Sequence, residues 1–141
     1  MKTTQNISQW GTRSVSFWMT MPIALGIIFV GIRFLIIPAQ AATDYGISFS
    51  NPGDLYFGRI KGIRDIFSGL VLLPLMVQRM RKATAWVFTA AIIIPATDCL
   101  IILSANGPAD IQHLLIHGLT AVYMMITSFL LFRDNINHEQ L

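Results

Sequence analysis

The stretch YFGRIKGIRDIFSGLVLLPL, Tyr56 to Leu75, joins a charged segment to an apolar one. Its first half carries Arg59, Lys61, Arg64 and Asp65, and its second half is apolar enough to enter a lipid bilayer. An ionisable side chain within a membrane helix is costly unless it faces the interior of a bundle and pairs with another group. The stretch therefore predicts a membrane helix with one polar wall turned toward neighbouring helices.

The composition of the whole chain also favours lipid as its solvent. Of its 141 residues, 54% are hydrophobic and 12% are charged, which lies outside the usual balance of soluble domains. A hydrocarbon core of about 30 Å needs about 20 apolar residues of helix, and four segments qualify, at approximately 21–38, 55–78, 83–104 and 111–132. We predict an all-α, integral membrane four-helix bundle that forms a single membrane domain over residues 1–141.

The distribution of basic residues predicts the orientation of this bundle. Lysine and arginine concentrate in the N-terminal segment, the loop at 78–82 and the C-terminal segment, whereas the other two loops carry aspartates. The positive-inside rule then places the N-terminus and the C-terminus in the cytoplasm, with the protein in a plasma or inner membrane. Pro22 suits the first turn of the first helix, which leaves 7–19 as an interfacial segment along the inner surface.

A cleaved signal peptide is the competing interpretation of the N-terminal region. Ala39 and Ala41 form the A-x-A pattern that signal peptidase favours, and basic residues precede the apolar run. That run is longer than a usual signal peptide core, and Arg33 interrupts it. We therefore expect a retained first helix.

Ionisable residues of different helices are expected at one depth in the membrane. Counted from the basic residue at the cytoplasmic end of each helix, the distance is about 21 Å for Asp65 and about 24 Å for both Asp98 and His117, at 1.5 Å per residue. Arg33 lies at a similar depth in the first helix. The sequence thus predicts one polar pocket in the outer half of the bilayer, facing the extracytoplasmic side.

The residue types in this layer suit acid/base chemistry on a lipophilic substrate, because a base, an acid and groups that stabilise negative charge are all present. As catalytic residues we predict Asp65, Asp98, His117 and Arg64. As substrate-binding residues we predict Arg33, Lys61, Tyr56 and His113. Membrane lipid and a lipophilic small molecule are the expected partners.

Metal, cofactor and nucleic acid are not expected. His113 and His117 are spaced i, i+4 and could form part of a metal site with Asp98 or Asp110, but such pairs more often cap a helix or hydrogen-bond. The lone Cys99 gives no CxxC pair. The basic residues form no stripe interleaved with aromatic residues, which argues against nucleic acid.

Four segments together resemble a known family: GIRFLIIP, RIKGIRDIFSGLVLL, IIIPATDCLIIL and HLLIHGLTAVYMM. The pattern, over roughly Gly26 to Phe132, is similar to the domain-of-unknown-function 4267 family of small four-helix membrane proteins, which is DoxX-like in architecture. The positions that match are Arg33, Lys61, Gly62, Arg64, Asp65, Asp98, His117 and Gly118. The resemblance implies the fold and the site residues, and it implies no reaction.

Three classes of function are open at this stage. An enzyme would use the pocket for isomerisation, cyclisation or epoxide opening without a metal, and the combination of base, acid and anion-stabilising groups favours this class. A binding or transport protein would use an excess of cations, Arg33, Lys61 and Arg64, to hold an anionic or quinone-like molecule, with a homodimer formed through Gly58 and Gly62. An accessory membrane subunit would use the charged layer for assembly.

Overall fold

The computed structural model describes residues 10–136, with side chains described within residues 10–133. Over this range the chain is helical and contains no strand. The helices are α1 (Val15–Ile36), α2 (Pro38–Tyr45), α3 (Asp54–Val77), α4 (Arg81–Ala91), α5 (Ile93–Asn106) and α6 (Ile111–Ile136). The all-α prediction is confirmed for this part of the chain.

Three helical segments are long and apolar enough to cross a membrane. They are α1, the combined α4–α5 segment Arg81–Asn106, and Ile111–Arg133 of α6. α3 has a similar length, 24 residues, but the charges of its first half set it apart from this apolar group. The helices have the composition and length of an integral membrane protein, as the sequence predicts.

The first helix begins earlier than the sequence predicts. α1 starts at Val15, so residues 15–19 of the predicted interfacial segment belong to this helix, and residues 7–9 of that segment lie outside the described residues. Pro22 is inside α1 and does not begin it. Membrane helices tolerate an internal proline because neighbouring groups satisfy the freed backbone carbonyl. Trp10 is buried and donates to the Ser16 hydroxyl at 2.9 Å, which packs the preceding turn onto the helix end.

The predicted third membrane helix is broken in the middle. α4 ends at Ala91 and α5 begins at Ile93, two residues before Pro95. Proline has no N–H and therefore cannot donate to the carbonyl four residues back, here that of Ala91. At the break itself, the Ile92 N–H bonds to the Thr89 carbonyl at 3.2 Å, in the tighter pattern that joins residues three apart.

A short helix occupies part of the predicted connection between the first two membrane helices. α2 starts at Pro38, which has the fixed φ angle that suits a first helical turn, and it ends at Tyr45, just before Gly46, whose φ is +108°. A left-handed residue after the last turn is the usual helix stop, and glycine adopts it without steric cost. The chain from 38 to 45 therefore turns back over the bundle.

The helices pack around two buried clusters. α1 makes its most extensive contact with α3, α6 packs against α4, α5 and α1, and α2 lies against α1 and α3. The larger cluster fills the end of the bundle near the α3–α4 turn and includes Trp10, Phe17, Leu72, Met76, Phe88 and Leu131. The smaller cluster lies under α2 and consists of Phe34, Ala41 and Ala42, packed against Val30, Tyr45 and Phe49. The candidate site is next to this second cluster.

Candidate functional site

Close packing of α1 on α3 builds one wall of the site. A Cβ placed on Gly62 would lie 2.6 Å from the carbonyl oxygen of Gly31, so both positions need glycine for the two backbones to touch. This contact brings Phe34 of α1 beside Lys61 of α3. The ammonium nitrogen of Lys61 lies 4.6 Å from the centroid of the Phe34 ring.

Tyr45, Asp98 and His117 meet where α2, α5 and α6 converge. The Tyr45 hydroxyl donates a hydrogen bond to Oδ2 of Asp98, and Nδ1 of His117 lies 4.0 Å from the same oxygen. The other ring nitrogen, Nε2 of His117, lies 3.0 Å from the backbone carbonyl oxygen of Tyr45. The Tyr45 and His117 rings pack edge to face, with centroids 4.5 Å apart. We call these three residues the Tyr45 cluster.

The geometry of the Tyr45 cluster decides which nitrogen of His117 exchanges a proton. A carbonyl oxygen can only accept, so Nε2 donates to Tyr45, and Nδ1 is the nitrogen that gains or loses a proton. Nδ1 faces Asp98. Burial, and then the hydrogen bond to Asp98, raise the pKa of the Tyr45 hydroxyl, so that it stays a donor. The cluster can hold or pass a proton between these groups.

Lys61 connects the α3 wall to the Tyr45 cluster. Its Nζ lies 2.5 Å from Oδ2 of Asp65, one helical turn further along α3. The same nitrogen lies 4.3 Å from the centroid of the Tyr45 ring. A cation at this distance from an aromatic face is attracted by the ring quadrupole. Lys61 is therefore fixed on one side by a carboxylate and on the other by two aromatic rings.

Arg33 and Asp44 tie α1 to α2. The Arg33 guanidinium donates to Oδ2 of Asp44, and the Gln40 amide nitrogen lies 2.8 Å from Oδ1 of the same carboxylate. The Arg33 hydrogen bond, followed by that of Gln40, holds the pKa of Asp44 below its ordinary value of 3.8. Asp44 is therefore ionised at neutral pH and balances the charge of Arg33.

The end of α2 is held by the α5–α6 turn. The Asn106 side chain donates to the carbonyl oxygen of Gly46 at 2.7 Å and to Asp110 at 2.5 Å. Nδ1 of His113 lies 2.7 Å from the other Asp110 oxygen, and the His113 ring is close to the Cα of Gly46. These contacts fix the position of Tyr45, the residue immediately before Gly46.

A cavity of about 560 Å³ extends from the Tyr45 cluster between the helices. Its polar end is lined by Arg33, Asp44, Tyr45, Lys61, Asp98 and His117. Away from this end the lining is mainly apolar and includes Ile23, Phe29, Phe67, Leu72, Val87 and Met124. Along α1 the lining runs from Arg33 back to Pro22, a length of about 16 Å. The cavity therefore has the shape and polarity to hold one polar group and one long apolar group.

Both cations at the polar end are paired. Arg33 is paired with Asp44, Lys61 is paired with Asp65, and the third carboxylate, Asp98, is held by Tyr45 and His117. The cationic excess expected from the sequence is absent from this cavity. α2 brings in the carboxylate of Asp44, and Arg64, the third expected cation, does not line the cavity.

Residues 24–131 match the family described as Domain of unknown function (DUF4267). The chain belongs to this family. The matched range covers more than half of the sequence and contains every residue at the polar end of the cavity. Neither the curated proteins nor the solved structures give a match to this chain.

Three predicted site residues of this DUF4267 protein lie away from the cavity. Arg64 is exposed on α3, because Lys61 and Asp65 turn inward while Arg64, between them, turns outward. Tyr56 is 67% exposed near the start of α3. His113 is one turn before His117 on α6 but is paired with Asp110 beneath α2. The structure brings together Arg33, Lys61, Asp65, Asp98 and His117, and it does not bring these three residues to them.

Sequence reasoning missed Tyr45 and Asp44 as site residues. Both lie on α2, within a segment that the sequence analysis treats as a connection. Pro38 followed by Gly46 is the arrangement of an N-terminal proline and a C-terminal glycine that marks a short helix, and this signal could have revealed α2. A helix there would have carried Asp44 and Tyr45 toward the bundle.

The paired histidines have separate partners. His113 contacts Asp110, whereas His117 contacts Tyr45 and Asp98. Within residues 10–133 no group of three or more His, Cys, Asp or Glu side chains is placed to hold a metal ion. The glycines considered for a dimer contact, Gly58 and Gly62, lie inside this chain, where Gly58 faces Phe49 and Gly62 faces Gly31.

Proposed function

We propose that this protein binds a lipophilic small molecule in the cavity and acts on it by metal-independent acid/base chemistry. The observation that carries the proposal is the Tyr45 cluster at the polar end of an otherwise apolar cavity. Ligand sites in proteins commonly have about 300–1,000 Å³ of mainly apolar space with a few convergent polar groups. A cavity of about 560 Å³ falls in this range.

We place the molecule in the membrane as a four-helix bundle with both termini in the cytoplasm. α3 is 24 residues long and so measures about 36 Å, enough to span about 30 Å of hydrocarbon. Pairing of Lys61 with Asp65 lowers the cost of their charges in such a span.

Cysteine labelling in a Cys99→Ala background tests the orientation. A cysteine introduced by Asn51→Cys should react with a membrane-impermeant maleimide on intact cells, and a cysteine introduced by Gln78→Cys should not. The reverse labelling pattern would overturn the orientation. The DoxX-like architecture stays a prediction.

The paired charges favour a ligand whose polar group is uncharged. An anionic group would have to compete with Asp44 for Arg33 or with Asp65 for Lys61. A hydroxyl or carbonyl group can instead exchange hydrogen bonds with Tyr45, Asp98 or His117 without breaking an ion pair. The anionic ligand considered from the sequence therefore has less support than a neutral alcohol, ketone or epoxide with a hydrocarbon body.

The proposed chemistry is proton transfer to and from the polar group of the ligand. Asp98 acts as the base, and His117, protonated at Nδ1, acts as the acid or returns the proton. The Tyr45 hydroxyl donates a hydrogen bond, to Asp98 in the resting site and to a developing oxyanion when a ligand is bound. Isomerisation, cyclisation and epoxide opening each need these proton movements.

Exchange of solvent deuterium tests the chemistry. Lipophilic molecules extracted from the purified protein would be returned to ligand-stripped wild-type and Asp98→Asn protein in heavy water, and the deuterium that stays on carbon after back-exchange in ordinary water would be measured by mass. We expect the wild type to speed deuterium incorporation. The rate with Asp98→Asn should be lower by a factor of about 10² to 10⁴. Asp54→Asn is the matched control, because Asp54 accepts hydrogen bonds from the backbone of Ser50 and Asn51 outside the cavity. Equal rates for wild type and Asp98→Asn would refute the catalytic role of Asp98.

A binding or transport protein is the second candidate, and one observation favours it. The polar groups at the end of the cavity have partners within the chain, and the mainly apolar lining can hold a ligand without any reaction. This candidate predicts that the wild type retains the extracted molecules but adds no deuterium to them. The deuterium measurement therefore separates the two functions.

A further inference from the structure

The outward face of α3 carries two cations that the cavity does not use. Arg59 and Arg64 are exposed, and neither forms a hydrogen bond or an ion pair through its side chain with any described residue. Large apolar side chains lie on the same exposed face: Tyr56, Phe57, Ile60, Ile63 and Phe67. We call these seven residues the α3 outer face.

The arginines border the apolar part of this face on its two sides. The face opposite to them is buried, with Gly58, Gly62 and Asp65 turned into the bundle. Arg64 is five positions after Arg59, so the two residues lie about 7.5 Å apart along the helix axis. Side chains on a helix lean toward its N-terminus, which directs the guanidinium of Arg64 toward Arg59 and the nearer membrane surface.

An unpaired Arg64 guanidinium in the hydrocarbon of the bilayer would cost free energy. It lies ten residues into α3, about 15 Å from the start of the helix. An arginine at such a depth needs an anion or water, or must reach the headgroup region. The occupant of the α3 outer face should therefore supply negative charge and apolar surface together.

Among the described side chains, no carboxylate is left to pair with Arg59 or Arg64. The five described aspartates all have a hydrogen-bond or ion-pair partner within the chain: Asp44, Asp54, Asp65, Asp98 and Asp110. A second copy packed on this face would also bring arginine toward arginine. Charge complementarity thus favours a lipid over a second copy.

We propose that the α3 outer face binds an anionic phospholipid, with its phosphate between Arg59 and Arg64 and its acyl chains along the apolar side chains. Guanidinium groups pair well with phosphate oxygens because several N–H donors lie in one plane. The ligand comes from the leaflet at the N-terminal end of α3. Of the α3 outer face only Phe67 also lines the cavity, so the site does not depend on the cavity's ligand or chemistry, although it rests on the membrane placement proposed for α3.

Native mass spectrometry with defined lipids tests this site. Purified protein would be incubated with equal amounts of phosphatidylglycerol and phosphatidylcholine, and the ratio of the two bound lipids measured on the intact protein peak. We expect the wild type to prefer phosphatidylglycerol, and Arg64→Gln and Arg59→Gln each to reduce that preference about fivefold. Arg64→Lys should keep most of it. Lys82→Gln, which removes the same charge at the other end of the molecule, is the matched control.

The proposal is overturned by any of three results. The wild type and Arg64→Gln could show the same lipid ratio, Lys82→Gln could reduce the ratio as much as Arg64→Gln, or the protein could form a dimer that Arg64→Gln dissociates. Should Arg64→Gln fail to fold, Arg59→Gln gives the same comparison with the wild type. Inorganic phosphate added in excess should not displace the bound lipid, because it lacks the acyl chains.

Discussion

At the scale of single residues, Tyr45 contacts three other residues at the polar end of the cavity. Its hydroxyl bonds Asp98, its ring lies between Lys61 and His117, and its carbonyl oxygen accepts from His117. A single side chain thus orients the proposed base, the proposed acid and the nearest cation. Its position depends on Gly46, because only the left-handed turn there ends α2 at this point.

Removal of the Tyr45 hydroxyl should therefore destabilise the folded protein. Tyr45→Phe keeps the ring but leaves Asp98 without its donor, and hydrogen bonds to charged groups contribute about 1.5–3 kcal/mol. We expect the free energy of unfolding in detergent to fall by about this amount. Tyr56→Phe is the matched control, because the Tyr56 hydroxyl is exposed and has no hydrogen-bond partner among the described residues. Equal stability of the two variants would contradict this account of Tyr45.

At the scale of helices, the contact of α1 with α3 fixes the distance between the two walls of the cavity. Gly31 and Gly62 meet backbone to backbone, and Gly69 packs in the same way against Ala24, whose carbonyl oxygen would lie 2.5 Å from a Cβ on Gly69. Small residues at such positions are the usual means by which membrane helices approach closely. Arg33 and Lys61 reach the same polar end because this contact sets the register of the two helices.

Addition of one methyl group at this contact should separate the helices. Gly62→Ala places a carbon 2.6 Å from the Gly31 carbonyl oxygen, where backbone on both sides must move. Overpacking of this kind costs about 1–3 kcal/mol, measurable as a loss of unfolding free energy. Gly26→Ala is the matched control, because nothing lies within 4 Å of its Cβ position. A Gly62→Ala protein as stable as Gly26→Ala would show that the contact is looser than described.

The same scale shows what the sequence could and could not predict. The depth of Asp98 and His117 followed from counting residues at 1.5 Å each, and the structure places these two side chains 4.0 Å apart. The rotation of α3 did not follow, since Arg64 and Asp65 differ by only about 1.5 Å in depth but point about 100° apart around the helix, Arg64 outward and Asp65 inward. α2 was missed because eight residues of mixed polarity do not resemble a membrane span, which needs about 20 apolar residues.

At the scale of the whole molecule, the cavity depends on all the long helices. α1 and α3 supply one wall, α4 and α5 with α6 supply the other, and α2 carries Tyr45 and Asp44 to the polar end. The sequence predicted the membrane-spanning character of these helices from composition alone. It predicted a polar pocket but not the size or the apolar lining of the cavity, because empty space depends on side-chain packing between helices that are distant in the sequence.

The central claim is that this cavity holds a lipophilic molecule, and native mass spectrometry of cavity-filling variants tests it most directly. Val71 lines the cavity, whereas Val77, on the same helix, is 80% exposed. We predict that wild-type protein and Val77→Phe carry the same small-molecule adduct after purification, and that Val71→Phe loses it because the larger ring occupies the ligand's space. A Val71→Phe protein that keeps the adduct, or a wild type that carries none, would contradict the account.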